Sequence, residues 1–328
     1  MEESNNDELI VPTPAPWKLK GTVYMLSFWT SKASATDVKA NLQNERQDGL
    51  PSITYSPLEA KSPFADPAAS GEHFGGLSQF QIIRYTESPL GPYDELIICP
   101  GFFAYEKDDP KGKRKKMKNP RITRIYVSRK STCWNGRKNW NIPKHLARFE
   151  WDESPDGKTR VRVYPYDTAV SSDSSHETES RPSDKFFFQA AFQPVRWAPS
   201  FPLALSWLKY VGIDTSLVQP PLPDGRQDNS RAGEELIGTS RWCKIQPTMS
   251  TRKATLGWID MSQHDRDVAD DDDGDDDGGS NRNSGHGSDT KYDNFWPGMR
   301  RWNVAIKMEN ADIGFGEGLH WDVSQSGL

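Results

Sequence analysis

Two stretches of this 328-residue chain hold the residues best suited to chemistry. The first is NGRKNWNIPKHLARFEW (135–151), which sets Lys144 beside His145 and behind Ile142 and Pro143. An amine attacks a carbonyl only as the neutral base, so its pKa must fall toward neutrality. A dry pocket or a neighbouring cation brings that about. Pro143 stiffens the backbone, Ile142 can wall one side of a pocket, and Arg137, Lys138, His145 and Arg148 bring positive charge near the amine. Taken alone, the segment reads equally as a basic surface turn, since lysines are mostly exposed. The second stretch is RYTESPLGPYDELIICPG (84–101). Its Ser88-Pro89 and Leu90-Gly91-Pro92 force a turn between two strands. Glu87 stands where the first strand ends, a place from which a carboxylate can point into a barrel mouth. The plain reading is an exposed glutamate at a turn.

Other chemistries find little support. The six histidines (His73, His145, His176, His264, His286 and His320) include no pair at i,i+4 and no nearby cysteine partner, so no metal is implied. There is no G-x-S-x-G elbow and no P-loop. GFGEGLH (314–320) is glycine-rich but departs from G-x-G-x-x-G and reads as a turn, so no cofactor is implied either. The acidic run around Gly274 lacks the spaced ligands and terminal glutamate of a calcium loop.

Positioning these residues falls mainly to strands. GTVYMLSF (21–28), QFQIIRY (79–85), DELIICPGFFAY (94–105), ITRIYVSR (122–129), RVRVYPY (160–166), KFFFQAAF (185–192), LIGTSRWCKIQ (236–246), ATLGWIDM (254–261) and RWNVAIKME (301–309) all read as strands. In the last, Trp302, Val304, Ile306 and Met308 alternate with Asn303, Ala305 and Lys307, which predicts one covered face. Helices are expected at 35–45 and 201–212, the latter with Pro202 in its first turn. Many strands without βαβ alternation predict an antiparallel barrel or sandwich.

Residues 1–16 read as a flexible N-terminal arm, and 17–328 as one domain. Loop insertions are expected at 107–121 (basic), 168–184 (Ser-rich) and 268–290 (acidic, Gly- and Ser-rich). The formal net charge of −5 argues against general nucleic-acid or membrane-surface binding. The cations at 111–118 can still serve as a nuclear-import signal or touch phosphates, and no aromatic residues interleave them for base stacking. Three widely spaced cysteines (Cys99, Cys133, Cys243) read as reduced thiols. No leader peptide is legible at the acidic, polar start, and no apolar run is long enough to span a membrane. A cytoplasmic protein is the expectation, with nuclear import through 111–118 as the variant.

YTESPLGPYDELIICPG followed by NGRKNWNIPKHLARFEW resembles the acetoacetate decarboxylase family and its fungal relatives. The family pattern is a Glu-ending strand with an S-P-x-G-P-Y turn, then a G-R pair and a P-K-K run. The likeness is clearest over 79–151, with a weaker echo in EELIGTSRWCKIQP. It implies a mainly β fold, a closed or cone-shaped antiparallel β-barrel with a few short peripheral helices. It also implies a homo-oligomer and a keto compound as the small-molecule partner. In the family's decarboxylase chemistry a buried lysine condenses with a ketone, and the iminium accepts the electrons released as CO2 departs. This enzyme is one of the known cases of a lysine activated by a hydrophobic pocket or a nearby cation. The resemblance makes Lys144 the Schiff-base lysine, Glu87 the pocket carboxylate and Arg137 the arginine of the G-R pair. His145 replaces the second lysine of P-K-K, and a neutral imidazole depresses a neighbouring amine less than an ammonium does. Lys20 falls near the place of the family's N-terminal arginine, and an ammonium is no bidentate clamp.

The expectation is an enzyme of secondary metabolism, a lyase acting by decarboxylation or related aldol, dehydration or cyclisation chemistry. Lys144 and Glu87 would be catalytic, with Arg137, His145 and Lys20 binding the substrate. A non-catalytic small-molecule-binding barrel is the alternative. An interaction or nuclear-import protein using the basic segment is a third.

Overall fold

The computed structural model describes residues 8–30, 50–109, 111–167, 181–212, 214–226, 233–263 and 294–322. The helix expected at 35–45, the acidic segment 268–290 and most of the Ser-rich segment 168–184 lie outside them.

Nine strands close on themselves. In order around the wall they are β1 (Trp17–Thr30), β14 (Trp302–Phe315), β13 (Thr248–Asp260), β9 (Phe188–Pro194), β8 (Thr159–Pro165), β7 (Lys144–Glu153), β6 (Arg124–Val127), β3 (Tyr93–Cys99) and β2 (Glu72–Glu87), which returns to β1. The neighbours pair antiparallel with one exception: β6 and β7 run parallel. The expected antiparallel barrel is therefore mixed at this one joint. Parallel neighbours need a crossover, and the chain supplies it with helix α3 (Lys130–Trp140), which follows the short α1 (Pro57–Ala60) and α2 (Pro67–Ser70). α3 ends on Asn141 in the left-handed region (φ 53°), whose N–H caps the carbonyls of Gly136 and Arg137.

Alternation along the strands sorts side chains to two faces. One cluster takes members from all nine strands, among them Tyr24, Phe80, Leu96, Ala147, Val161 and Ala305, and so fills the barrel. Within it Tyr24 donates across to Thr159 at 3.3 Å. Leu50, Tyr55 and Phe64, from the segment before β2, join this interior cluster. The other face of β1, β2, β3 and β6 carries Trp17, Ile83, Ile97, Ile125 and Val127. These pack under an outer layer of α3 and the small sheet β11 (Leu217–Gln219), β12 (Trp242–Ile245), β15 (Leu319–Trp321).

Three expectations change. The basic segment 107–121 is no loop: β4 (Phe102–Asp108) and β5 (Arg114–Pro120) pair in a hairpin whose outer strand carries the cations. Lysines suit such a strand because they discourage edge-to-edge pairing. The helix expected at 201–212 splits into β10 (Phe201–Ala204), paired to β13 across a register shift, and a 3-10 turn at Leu205–Val211. Pro202 sits at that irregularity, where a missing N–H is tolerated. In β14 it is Ala305 that enters the barrel, while Val304 is 55 % exposed. Met308 is covered as expected, because the outer layer reaches it, whereas Trp302 and Val304 lie beyond that cover.

Candidate active site

Lys144 opens β7, and its side chain lies on the face opposite Ala147, where Tyr85 and Tyr93 also lie. Its Nζ lies 2.5 Å from Glu95 Oε2, with both side chains buried. β3 and β6 make this meeting: Glu95 pairs with Val127, and Lys144 with Ile125. The other carboxylate oxygen, Glu95 Oε1, accepts from the Tyr85 hydroxyl at 3.2 Å. Tyr85 stacks on Tyr93 with ring centroids 4.3 Å apart, and Nζ stands 5.6 Å from the Tyr93 ring centroid. Burial first, then the Glu95 charge, pushes both tyrosine hydroxyls well above their ordinary range. They therefore stay protonated, and the Tyr85 hydroxyl is the donor to Glu95.

α3 shapes the space around the lysine. A Cβ on Gly136 would lie 2.5 Å from Lys144 Cδ and 2.7 Å from Cε, so the glycine leaves room for the stem. Cys133 Sγ donates to the Lys144 carbonyl at 3.0 Å, and Pro143 O accepts from Ile125 N at 3.3 Å. These contacts fix the backbone on either side of the Cα.

Beside this group a cavity of about 90 Å³ lies between the outer face of β2–β3 and the covering layer. Tyr85, Ile97, Gln79, Gln81, Cys99 and Met249 are among the residues lining it, and Lys144 and Glu95 are not. Tyr85 thus belongs both to the cavity wall and, through its hydroxyl, to the Glu95–Lys144 pair. Burial pushes the Cys99 thiol up to about 11, which keeps it protonated.

His145 points the other way, into the barrel. Its Nε2 is 2.7 Å from Glu59 Oε2, and its Nδ1 is 3.6 Å from Asp167 Oδ2. Arg137 Nη1 donates to Glu59 Oε1 at 2.9 Å and to the Lys144 carbonyl at 3.3 Å. Its remaining nitrogens reach Ile237 O and Pro223 O. Burial alone would raise the Glu59 carboxyl, but attraction to His145 and Arg137 outweighs it and holds the group at about 2, against an ordinary 4.5. The network continues through Asp167 to Tyr126 and Arg124.

Of the five residues expected at the site, the structure brings only Lys144 to the Glu95–Tyr85 group, and none of the five lines the cavity. Glu87 and Lys20 face solvent, with side chains 70 % and 49 % exposed, and meet each other at 3.9 Å. The carboxylate at the amine is Glu95, eight residues beyond Glu87 and within the same quoted stretch. Glu87 misses the site because it lies at the very end of β2, beyond the covered part of the wall. Arg137 and His145 are committed to Glu59, so neither touches the cavity nor flanks the amine. Sequence reasoning missed Glu95, Tyr85, Tyr93, Glu59 and Gly136. Glu95 carried a signal, a carboxylate set in the apolar run LIIC. Glu59, in a Pro-rich irregular segment, carried none. Among the described residues no group of three His, Cys, Asp or Glu side chains is placed to hold a metal ion.

No family model matches the sequence, and no curated protein is significantly similar to it. Solved structures are similar. The likeness is to acetoacetate decarboxylase. One such enzyme, from Legionella pneumophila, is 11 % identical with a TM-score of 0.46, over 97 % of this chain and 94 % of that one. A second acetoacetate decarboxylase structure gives 12 % and 0.49, over 99 % of this chain and all of the other. The enduracididine biosynthesis enzyme MppR, solved with pyruvate, gives 13 % and 0.44, over 94 % and 91 %. At these identities the likeness concerns the fold, and no residue role is taken from it.

Proposed function

We propose that this chain is an acetoacetate decarboxylase-like enzyme whose Lys144 forms a Schiff base with a keto compound. The observation that carries the reading is the buried Lys144 amine held 2.5 Å from Glu95, whose other oxygen accepts from Tyr85, a residue of the apolar cavity's wall. Glu95 accepts the ammonium proton and frees the Nζ lone pair. Nζ adds to the substrate carbonyl carbon, and the carbinolamine loses water to give an iminium. The iminium then takes up an electron pair from an adjacent carbon, released either by loss of CO2 or by loss of an α-proton to a carboxylate. The resulting enamine takes a proton at carbon, and hydrolysis of the iminium so formed releases the product and restores the amine. Tyr85, hydrogen-bonded to Glu95, orients that carboxylate. Lys144 and Glu95 are the proposed catalytic pair. Arg137 and His145 act as positioning residues through Glu59 and the Lys144 carbonyl, rather than as substrate contacts.

A second reading, a barrel that binds a small molecule without chemistry, is favoured by the closeness of the ion pair, since Lys144 is only 5 % exposed. Borohydride reduction in the presence of a ketone panel, followed by intact-mass analysis, separates the two. The enzyme reading expects a stable adduct in the wild type and none in Lys144→Arg, which keeps a cation opposite Glu95 but forms no imine. Unmodified wild-type protein with every ketone, although ligand binds, would establish the binding-only reading.

A further inference from the structure

A larger cleft, of about 390 Å³, shares no lining residue with the Lys144–Glu95 group. Its walls come from α2 and the start of β2, from the hairpin β4–β5, and from β12 and β15. That volume falls within the range of ordinary small-molecule sites, about 300–1,000 Å³. Three aromatic rings give the cleft one flat apolar wall. Tyr105 stacks on Trp242 with ring centroids 5.4 Å apart, and Trp242 on Trp321 at 6.0 Å.

The cations around this wall are not all neutralised. Arg114 meets Glu106 at 3.4 Å and Asp108 at 3.9 Å, and Asp322 meets Arg241 at 3.2 Å. Lys107 and Lys116, which also line the cleft, form no ion pair among the described residues. Lys107 instead rests its ammonium 3.8 Å from the Trp321 ring centroid, where the electron-rich face attracts a cation. Burial first, then the Lys244 ammonium, pulls its pKa below the ordinary lysine value, as expected of a cation short of a counter-charge. Arg121 stands behind two lining residues, Ser70 and Trp242, and is buried without a carboxylate partner. It donates to Ser70 Oγ at 3.3 Å and to Ser70 O at 2.5 Å, its Nε has no partner, and its guanidinium is 5.7 Å from the Trp242 centroid.

We propose that this cleft is a ligand site separate from the lysine, and that it takes a flat aromatic monocarboxylate. The ligand's ring packs against the aromatic wall. Its carboxylate meets the Lys107 ammonium, and Lys116 and Arg121 add attraction from the hairpin and from behind the wall. One negative charge suits the cleft better than two. Glu72, Glu106, Asp108 and Asp322 also line it and repel a phosphate dianion more than a carboxylate.

The test uses three probes that share a ring system and differ in charge: 2-naphthoate, 2-naphthylmethanol and 2-naphthyl phosphate. Titration calorimetry measures each against wild type, Lys107→Gln, Lys107→Arg and Lys144→Arg. The wild type is expected to bind 2-naphthoate at least tenfold more tightly than either analogue, and less tightly as salt rises. Lys107→Gln should abolish that preference, Lys107→Arg should restore most of it, and Lys144→Arg should leave it unchanged. Equal binding of the acid and the alcohol, or a preference that survives Lys107→Gln, would overturn the proposal. Tighter binding of the phosphate would overturn the choice of a monoanion. Loss of 2-naphthoate binding in Lys144→Arg would put the acid at the lysine and overturn the separate site, and so would failure of the wild type to bind 2-naphthoate.

Discussion

The two faces of β7 carry two buried ionic groups built on different plans. On the barrel side, Glu59 is shared by His145 and Arg137, and Arg137 spends its other donors on backbone carbonyls. That cluster is saturated, and its product is shape: it ties the segment before β2, the crossover helix and the first residues of β7 into one unit. On the covered outer side, Lys144 has a single carboxylate partner, flanked by Tyr85 and Tyr93. One proton transfer within that pair yields a neutral amine with no other charge on Glu95, whereas on the barrel side Arg137 holds Glu59 whatever the state of His145. Neighbouring residues thus serve opposite ends because alternation sends them to opposite faces.

Removing Glu59 breaks this contrast most severely. Glu59→Ala leaves Arg137 and His145 buried without their shared counter-charge, and a loss of about 3–5 kcal/mol of stability is expected in denaturant unfolding. A loss below about 1 kcal/mol would show that the network does not hold the fold. The same group predicts a pH dependence. Its carboxyl is held at about 2 in the folded protein against 4.5 ordinarily. Its stabilisation is therefore complete above about 4.5 and is lost as pH falls toward 2. On the order of 3 kcal/mol should disappear across that window, and Glu59→Gln should flatten the profile there.

On the other face, Lys144→Met strands Glu95, and the expected cost is about 3 kcal/mol, toward the low end for a broken buried pair because Tyr85 still donates to the carboxylate. The double variant Lys144→Met/Glu95→Leu should recover most of that stability while remaining dead to borohydride trapping. Thermal unfolding of the three proteins checks it. A double variant less stable than Lys144→Met would mean that the pair is structural, like the Glu59 cluster.

How much of this contrast could be read from the sequence depends on what each segment hides. Lys144 stood out only through the resemblance that joins its segment to the earlier stretch, because Ile-Pro-Lys-His by itself reads as a surface turn. The orientation of His145 was not legible, because KHLARFEW (144–151) mixes polar and apolar residues too evenly to announce a strand. Helix α3 escaped for a related reason. It buries Ser131, Thr132, Asn135 and Arg137, so no apolar stripe of period 3.6 marks KSTCWNGRKNW. Without the crossover helix, the parallel β6–β7 joint and the approach of Gly136 to Lys144 are both out of reach. The strands QFQIIRY and ATLGWIDM fared better, since β-branched and aromatic residues mark them directly. DELIICPGFFAY held two strands rather than one, divided at Pro100-Gly101, where Gly101 adopts φ 115°.

Gly136→Ala sharpens the comparison without touching charge. Alanine favours an exposed helix interior over glycine by up to about 1 kcal/mol, but here its methyl would meet the Lys144 stem. With Nζ tied to Glu95, the stem must give way and carry the amine off its present line. Stability should change by less than about 1 kcal/mol, while the rate of borohydride-trapped adduct formation drops at least tenfold. Unchanged trapping would show that the amine acts from a different position.

The smallest expected effect lies at Tyr85. Tyr85→Phe removes one hydrogen bond to Glu95 and preserves the stacking on Tyr93, so about 1 kcal/mol of stability is at stake. The informative readout is the rate of borohydride-trapped adduct formation. Without the tyrosine donor the Glu95 carboxylate is no longer held in line with Nζ, so adduct formation should slow severalfold. A purely structural tyrosine would lower stability and leave that rate in place, and the outcome would then assign Tyr85 to the cavity wall alone.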